Sequence, residues 1–194
     1  MKTNSNSYTI IYSAIIVVVV AFLLAFVYQA LKPMQEANVA LDQKKQVLYS
    51  LNIRGLDNAA AEATYNKVVK EEKTVDGSKM FICNVNGATK YVFTMKGMGL
   101  WGGISGYVSV NADKSTVYGA YFNHEGETAG LGAEIKDNQK WQEKFQGKQL
   151  FKGNDHSSIA LSVQKKVTDP ATQVDAVTGA TLTSNGVAAM LHDG

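Results

Sequence analysis

The stretch Asp175-Ala176-Val177-Thr178-Gly179-Ala180-Thr181-Leu182-Thr183-Ser184 holds the residues best placed to do chemistry. It reads as a strand end, a tight turn at Gly179, and a helix starting at Thr183 or Ser184. A helix N-terminus leaves N–H groups unpaired and carries a partial positive charge, so it is a natural seat for a phosphate. Thr181 stands just ahead of that start, with only small Gly179 and Ala180 before it, so its hydroxyl is uncrowded. No general base lies beside it in the sequence, which argues against a self-sufficient nucleophile. An acceptor modified by a separate enzyme fits these residues better. The plainer alternative is a helix cap, Thr or Ser ahead of an apolar run.

Other reactive residue types are sparse. A single cysteine, Cys83, excludes an internal disulfide and any multi-cysteine zinc or iron–sulfur site. Its neighbours Met80, Phe81 and Ile82 make it a small buried hydrophobe. His156 and His192 have no partner at ligand spacing, and His124 receives no role. Two glycine-rich loops, Gly97–Gly103 and Gly126–Gly132, do not follow strand-then-helix order, so neither is a dinucleotide fingerprint. Trp101, taken alone, reads as a core aromatic. A net charge of +2 on scattered lysines excludes a nucleic-acid surface. The Lys70–Lys73 charge run reads as solvated, and at least one of Lys165 and Lys166 faces solvent.

These residues must be positioned by about one compact domain plus an anchor, which is what 194 residues allow. Residues 9–31 carry no charge and are mostly Ile, Val, Leu, Ala and Phe. About 23 helical residues span roughly 35 Å, enough to cross a bilayer core of about 30 Å. Tyr8, Tyr12 and Tyr28 lie toward its ends, where amphipathic rings favour the interface, and Pro33 reads as the helix stop. The run is too long for a signal-peptide core and leads into Tyr28-Gln29-Ala30-Leu31-Lys32, with no small-x-small cleavage site. Lys2 opposes Lys32, Lys44 and Lys45, so the positive-inside count does not fix orientation. A short tail, residues 1–8, is nonetheless easier to keep in the cytoplasm than a large domain.

Beyond the anchor, residues 32–56 read as a juxtamembrane helix, Gln35–Ser50, and linker, and residues 57–194 as the domain. Asp57–Tyr65 is Ala-rich and helical. Met80–Val85 and Thr89–Met95 flank Asn86-Gly87, a strong hairpin signal. Gly106–Val110 and Val117–Phe122 form a second strand pair, and Ser158–Val167 another strand. Asp137 can cap a short helix, Asn138–Phe145. The fold class is α+β: one N-terminal transmembrane helix, then a largely antiparallel sheet with peripheral helices.

With these segments in place, the pattern D-x-x-T-G-A-T at Asp175–Thr181 resembles the recognition sequence of flavin transferases, which attach FMN phosphate to its last Thr or Ser. Chance produces such a match in roughly one chain of this length per thousand. The chain as a whole resembles the family formed by the C subunit of the Na⁺-translocating NADH:quinone oxidoreductase. The matching segments are Glu36–Lys45, Gly99-Leu100-Trp101-Gly102, Gly126-Glu127-Thr128-Ala129-Gly130-Leu131-Gly132, and Trp141, Phe145, Gly147 and Lys148. Ala129 stands where the family has Pro.

The resemblance implies an FMN esterified through its phosphate to Thr181, within the context Asp175, Thr178, Gly179, Ala180, Leu182 and Thr183. It implies Trp101 near the ring, Glu127 and Thr128 as polar contacts, Leu131 and Gly132 on an apolar wall, and Lys165 near the flavin. It further implies a bacterial inner-membrane protein with its C-terminal domain on the periplasmic side. There it would carry electrons between other membrane and peripheral subunits of an NADH:quinone reductase, without independent catalysis or a metal site. The FMN-bearing G subunit of the ferredoxin:NAD⁺ oxidoreductase complex shares the T-G-A-T motif and is the alternative within the same chemistry. From other classes, a cofactor-free anchored interaction module and a flavinylated reductase of a soluble substrate stay open.

Overall fold

An unbroken apolar run can satisfy its backbone only internally when no water is near, and a helix does this within one segment. In the computed structural model, which describes residues 5–75, 77–153 and 155–193, that run lies in α1, Asn6–Ser50. Lys2 is outside the described residues. The chain forms two compact units, Met1–Asp42 and Gln43–Gly194. In the first, the apolar side chains of α1 are exposed, Phe22 at 70%, and the helix is long and apolar enough to cross a membrane. The rings of Tyr8 and Tyr12 stack at 6.1 Å near its start.

Pro33 does not stop this helix, contrary to expectation. Proline removes the bond to the carbonyl four residues back, that of Gln29, but its fixed φ is helical. A helix of 45 residues absorbs that loss. The expected separate helix from Gln35 is therefore the same helix.

The second unit contains the last turns of α1, with Val47 and Leu48 in them and Leu51 just after them each 1% exposed, so its packing begins ahead of residue 57. The end of α1 is fastened at several points. Asn52 adopts a left-handed φ of 61°, which turns the chain out of the helix. Its side chain donates to the Tyr118 carbonyl at 2.9 Å and accepts from Gln146 at 2.9 Å. The buried Ser109 hydroxyl donates to the Ser50 carbonyl at 2.6 Å. Helix α2, Asn58–Val68, is capped by Asp57, whose carboxylate accepts from the Ala60 N–H at 2.8 Å.

Five antiparallel strands follow: β1 Val69–Val75, β2 Ser78–Val85, β3 Ala88–Met98, β4 Gly103–Asn111 and β5 Val117–His124. They pair in sequence order. The Asn86-Gly87 turn has φ of 51° and 82°, the two positive values a tight primed hairpin turn requires. β1 was not expected from the sequence. Its Lys70–Lys73 charges are solvated as anticipated, but on an edge strand that they protect against further pairing.

The sheet buries both faces, as the period-two alternation of its strands allows. On one face Phe81, Cys83, Val85 and Val92 pack with Val47, Leu51 and Val68. On the other, Met95, Ile104, Val108 and Phe122 pack with Ile135, Trp141, Phe145, Val187 and Met190. Those partners come from α3 Glu134–Asp137, α4 Gln139–Glu143 and α5 Thr181–Asp193, apart from Phe145 just after α4.

Three local expectations are corrected. Asn138, not Asp137, caps α4, accepting from the Trp141 N–H at 3.1 Å. The strand expected over Ser158–Val167 shrinks to β6, Ser162–Gln164, paired in parallel with β7, Gln173–Asp175. Before it, the N–H groups of Ala160 and Leu161 both turn to the Leu150 carbonyl, at 2.7 and 3.1 Å, instead of joining a ladder. Finally, α5 begins at Thr181, ahead of the expected Thr183 or Ser184.

Candidate functional site

β7 delivers the chain into a turn that α5 then closes. Asp175 ends the strand and is held twice by α4 and its edge. Trp141 Nε1 donates to its carbonyl at 2.8 Å, and Lys144 Nζ lies 2.7 and 2.9 Å from its two carboxylate oxygens. Val177 N–H donates to the Ser184 hydroxyl at 3.1 Å, and Ala180 N–H to the Val177 carbonyl at 3.1 Å. Gly179 supplies the φ of 79° that the turn needs. A Cβ there would also meet Leu131 Cδ2 at 2.8 Å, so glycine lets the Gly126–Gly132 loop close on the turn.

Thr181 and Leu182 are exposed, whereas Ala180, Thr183 and Ser184 are buried. Thr181, Leu182 and Thr183 precede the first helical bond of α5, from Ser184 N–H to the Ala180 carbonyl at 2.9 Å. Their amides are the orphan donors of a helix N-terminus, which favour an anion. An exposed hydroxyl thus stands at the anion-favouring end of a helix.

A cleft of about 200 Å³ opens beside this turn. Leu100, Leu131 and Leu182 give it apolar surface, and Glu127, Thr128, Thr181 and Thr183 its polar atoms. Gly132, Gly179 and Ala180 complete its lining. Closed ligand pockets run to about 300–1,000 Å³, so this cleft suits a planar ring that stays partly exposed.

The cleft thus gathers Glu127, Thr128, Leu131, Gly132 and the turn residues 179–183. Trp101 borders it by backbone: its N–H donates to Glu127 Oε1 at 2.9 Å, while its side chain is 68% exposed rather than in the core. Thr178 is exposed on the turn, and Asp175 is exposed at its start. Lys165 follows β6, exposed as Lys166 is, and does not line the cleft.

Glu127 is 8% exposed. Burial pushes its pKa up, but donation from the Thr183 hydroxyl and the Trp101 and Leu100 N–H groups, with His124 nearby, outweighs this. The carboxyl is held below the ordinary value. His124, given no role from sequence, accepts the Glu127 N–H at Nδ1, 3.2 Å away. Lys144 and Leu100 were also missed. Leu100 stood next to Trp101 in a noted loop, but nothing in the spacing links Lys144 to Asp175, 31 residues away.

Residues 99–194 match the family model described as FMN-binding domain, a span that includes every residue of the cleft. The C subunit of the Na(+)-translocating NADH-quinone reductase from Haemophilus ducreyi is 31% identical, over 95% of this chain and 87% of that protein. The same subunit from Neisseria meningitidis serogroup A is 44% identical over half of the chain and 36% of its own length. Among solved structures, the Parabacteroides distasonis C subunit superposes with a TM-score of 0.75 at 36% identity. That match covers 83% of this chain and 91% of the other.

Proposed function

The chain belongs to the C-subunit family of Na(+)-translocating NADH-quinone reductases, and on that premise we propose that it carries electrons through an FMN esterified to Thr181. One observation supports this above others: the exposed Thr181 hydroxyl at the N-terminus of α5, beside a half-open apolar cleft. FMN supplies the redox chemistry, and the chain binds, orients and shields it. The α5 amides and Thr181 would hold the phosphate, Leu100, Leu131 and Leu182 the ring faces, and Thr128 a polar edge of the ring. The exposed Trp101 side chain would fold toward the ring, and Lys165 would lie in the wider surround.

Attachment would form a P–O bond between the FMN phosphoryl group and Thr181 Oγ1 while the pyrophosphate P–O bond of a flavin adenine dinucleotide donor breaks, with AMP leaving and the hydroxyl proton released. With no base next to Thr181 in sequence, a flavin transferase is the agent, reading Asp175, Thr178, Gly179 and Ala180. α1 anchors the protein as a single pass in the bacterial inner membrane, with the FMN domain on the periplasmic side. Its partners are the other subunits of the complex.

The test is expression with a flavin transferase, followed by denaturing electrophoresis under ultraviolet light. The wild-type band is expected to fluoresce and the Thr181→Ala band to stay dark. Two dark bands from properly exported protein would sink the proposal and favour a cofactor-free anchored module. Two bright ones would move the acceptor elsewhere.

A further inference from the structure

Both carboxylate oxygens of Glu127 have protein donors, in addition to the polar ring contact that the resemblance implies. Oε1 accepts from the Trp101 N–H at 2.9 Å, and Oε2 from the Thr183 hydroxyl at 2.6 Å. The donors lie 26 and 56 residues from Glu127 in sequence, one in the Gly97–Gly103 loop and the other in the first turn of α5. Its own N–H is taken by His124.

The surrounding backbone is shaped to admit this carboxylate. A Cβ at Gly99 would collide with Oε1, and one at Gly132 with Oε2 and with Thr183 Oγ1. Gly99 in one glycine-rich loop and Gly132 in the other therefore give up side chains, which makes room for the acid that the second loop carries.

We propose that Glu127 is the positioning residue of the cofactor seat, clasping the Gly99–Gly102 loop to the first turn of α5 so that both walls of the cleft move as one body. What the clasp positions rests on the FMN reading; the clasp itself does not. Glu127 takes the Thr183 hydroxyl and a loop amide, which leaves the first-turn amides of α5 to the phosphate. A carboxylate at this depth is stable only while hydrogen-bonded, so losing one donor frees it to leave the other.

The test uses the full chain in detergent micelles, made without flavin transferase, and reads hydrogen–deuterium exchange at the peptide containing Trp101. Glu127→Ala is expected to speed that exchange by about tenfold, as loss of a bond to a charged acceptor implies. Thr183→Val is expected to speed it about fivefold, although Thr183 reaches the loop only through Glu127 among the described hydrogen bonds. Glu127→Gln should stay within about twofold, because its amide oxygen can accept from Trp101 and its NH₂ can donate to Thr183 Oγ1. In flavin-loaded chains, the flavin circular dichroism should change in Thr183→Val and keep its wild-type form in Glu127→Gln.

Wild-type exchange at Trp101 in Thr183→Val would overturn the clasp, and that variant reads out even where Glu127→Ala fails to fold. The exchange arm contains no flavin, so its outcome is separate from that of the gel experiment on Thr181.

Discussion

At Glu127 two opposing effects act on one carboxyl group. Burial favours the neutral acid, and donated hydrogen bonds favour the anion; the bonds win, so the folded-state pKa lies below the ordinary value of 4.5. Protonation then binds more weakly in the folded protein than in the unfolded one. The anion's contribution to stability is complete above about pH 4.5 and is lost as pH falls through the folded-state value. Glu127→Gln removes that dependence, so its urea midpoint should fall less than wild type between about pH 5 and pH 3. Equal acid slopes would mean that the carboxylate is not held as an anion. The Thr181 turn was legible because its chemistry is local: a glycine, small neighbours and a hydroxyl in seven consecutive residues. The clasp was not, because its partners stand 26 and 56 residues away.

The elements that carry these residues meet through missing side chains. α5 lies against β3 with Gly186 facing the Met98 carbonyl, where a Cβ would collide, and Gly97 facing Met190 Cβ, where it would come to 2.9 Å. In an isolated helix, alanine is better than glycine by about 1 kcal/mol. Here overpacking opposes that gain, at roughly 1–3 kcal/mol for an ordinary core and more for rigid backbone. Gly186→Ala is therefore expected to destabilise by about 1–2 kcal/mol net in denaturant titration. A stabilised variant would show that α5 is free to shift. The β2–β3 hairpin was readable from Asn86-Gly87 alone, since only a few residue pairs tolerate two positive φ values. β1 was not, because its solvent-facing charges erase the alternation that marks a strand. Over Ser158–Val167 the alternation of Ile159, Leu161 and Val163 was present, and the Leu150 carbonyl took the N–H groups that a ladder would need.

For the whole molecule, the boundary that matters is where packing begins. Val47, Leu48 and Leu51 are each buried in the second unit, and burial of such a side chain stabilises by about 1.5–3 kcal/mol. A chain starting at Gln43 is expected to unfold cooperatively in a thermal scan. One starting at Asp57 should lose about 4.5–9 kcal/mol, most of a typical domain's stability, and show no such transition. Equal melting of the two would place the end of α1 outside the folding unit. The same packing buries the sole thiol. Cys83 is 1% exposed with its pKa pushed up to about 12 by burial, so at neutral pH it is neither accessible nor a thiolate. To a maleimide reagent the native protein is therefore blank. One cysteine introduced on any exposed loop becomes a unique attachment point for a dye or spin label, with no background mutation needed to silence the wild-type chain.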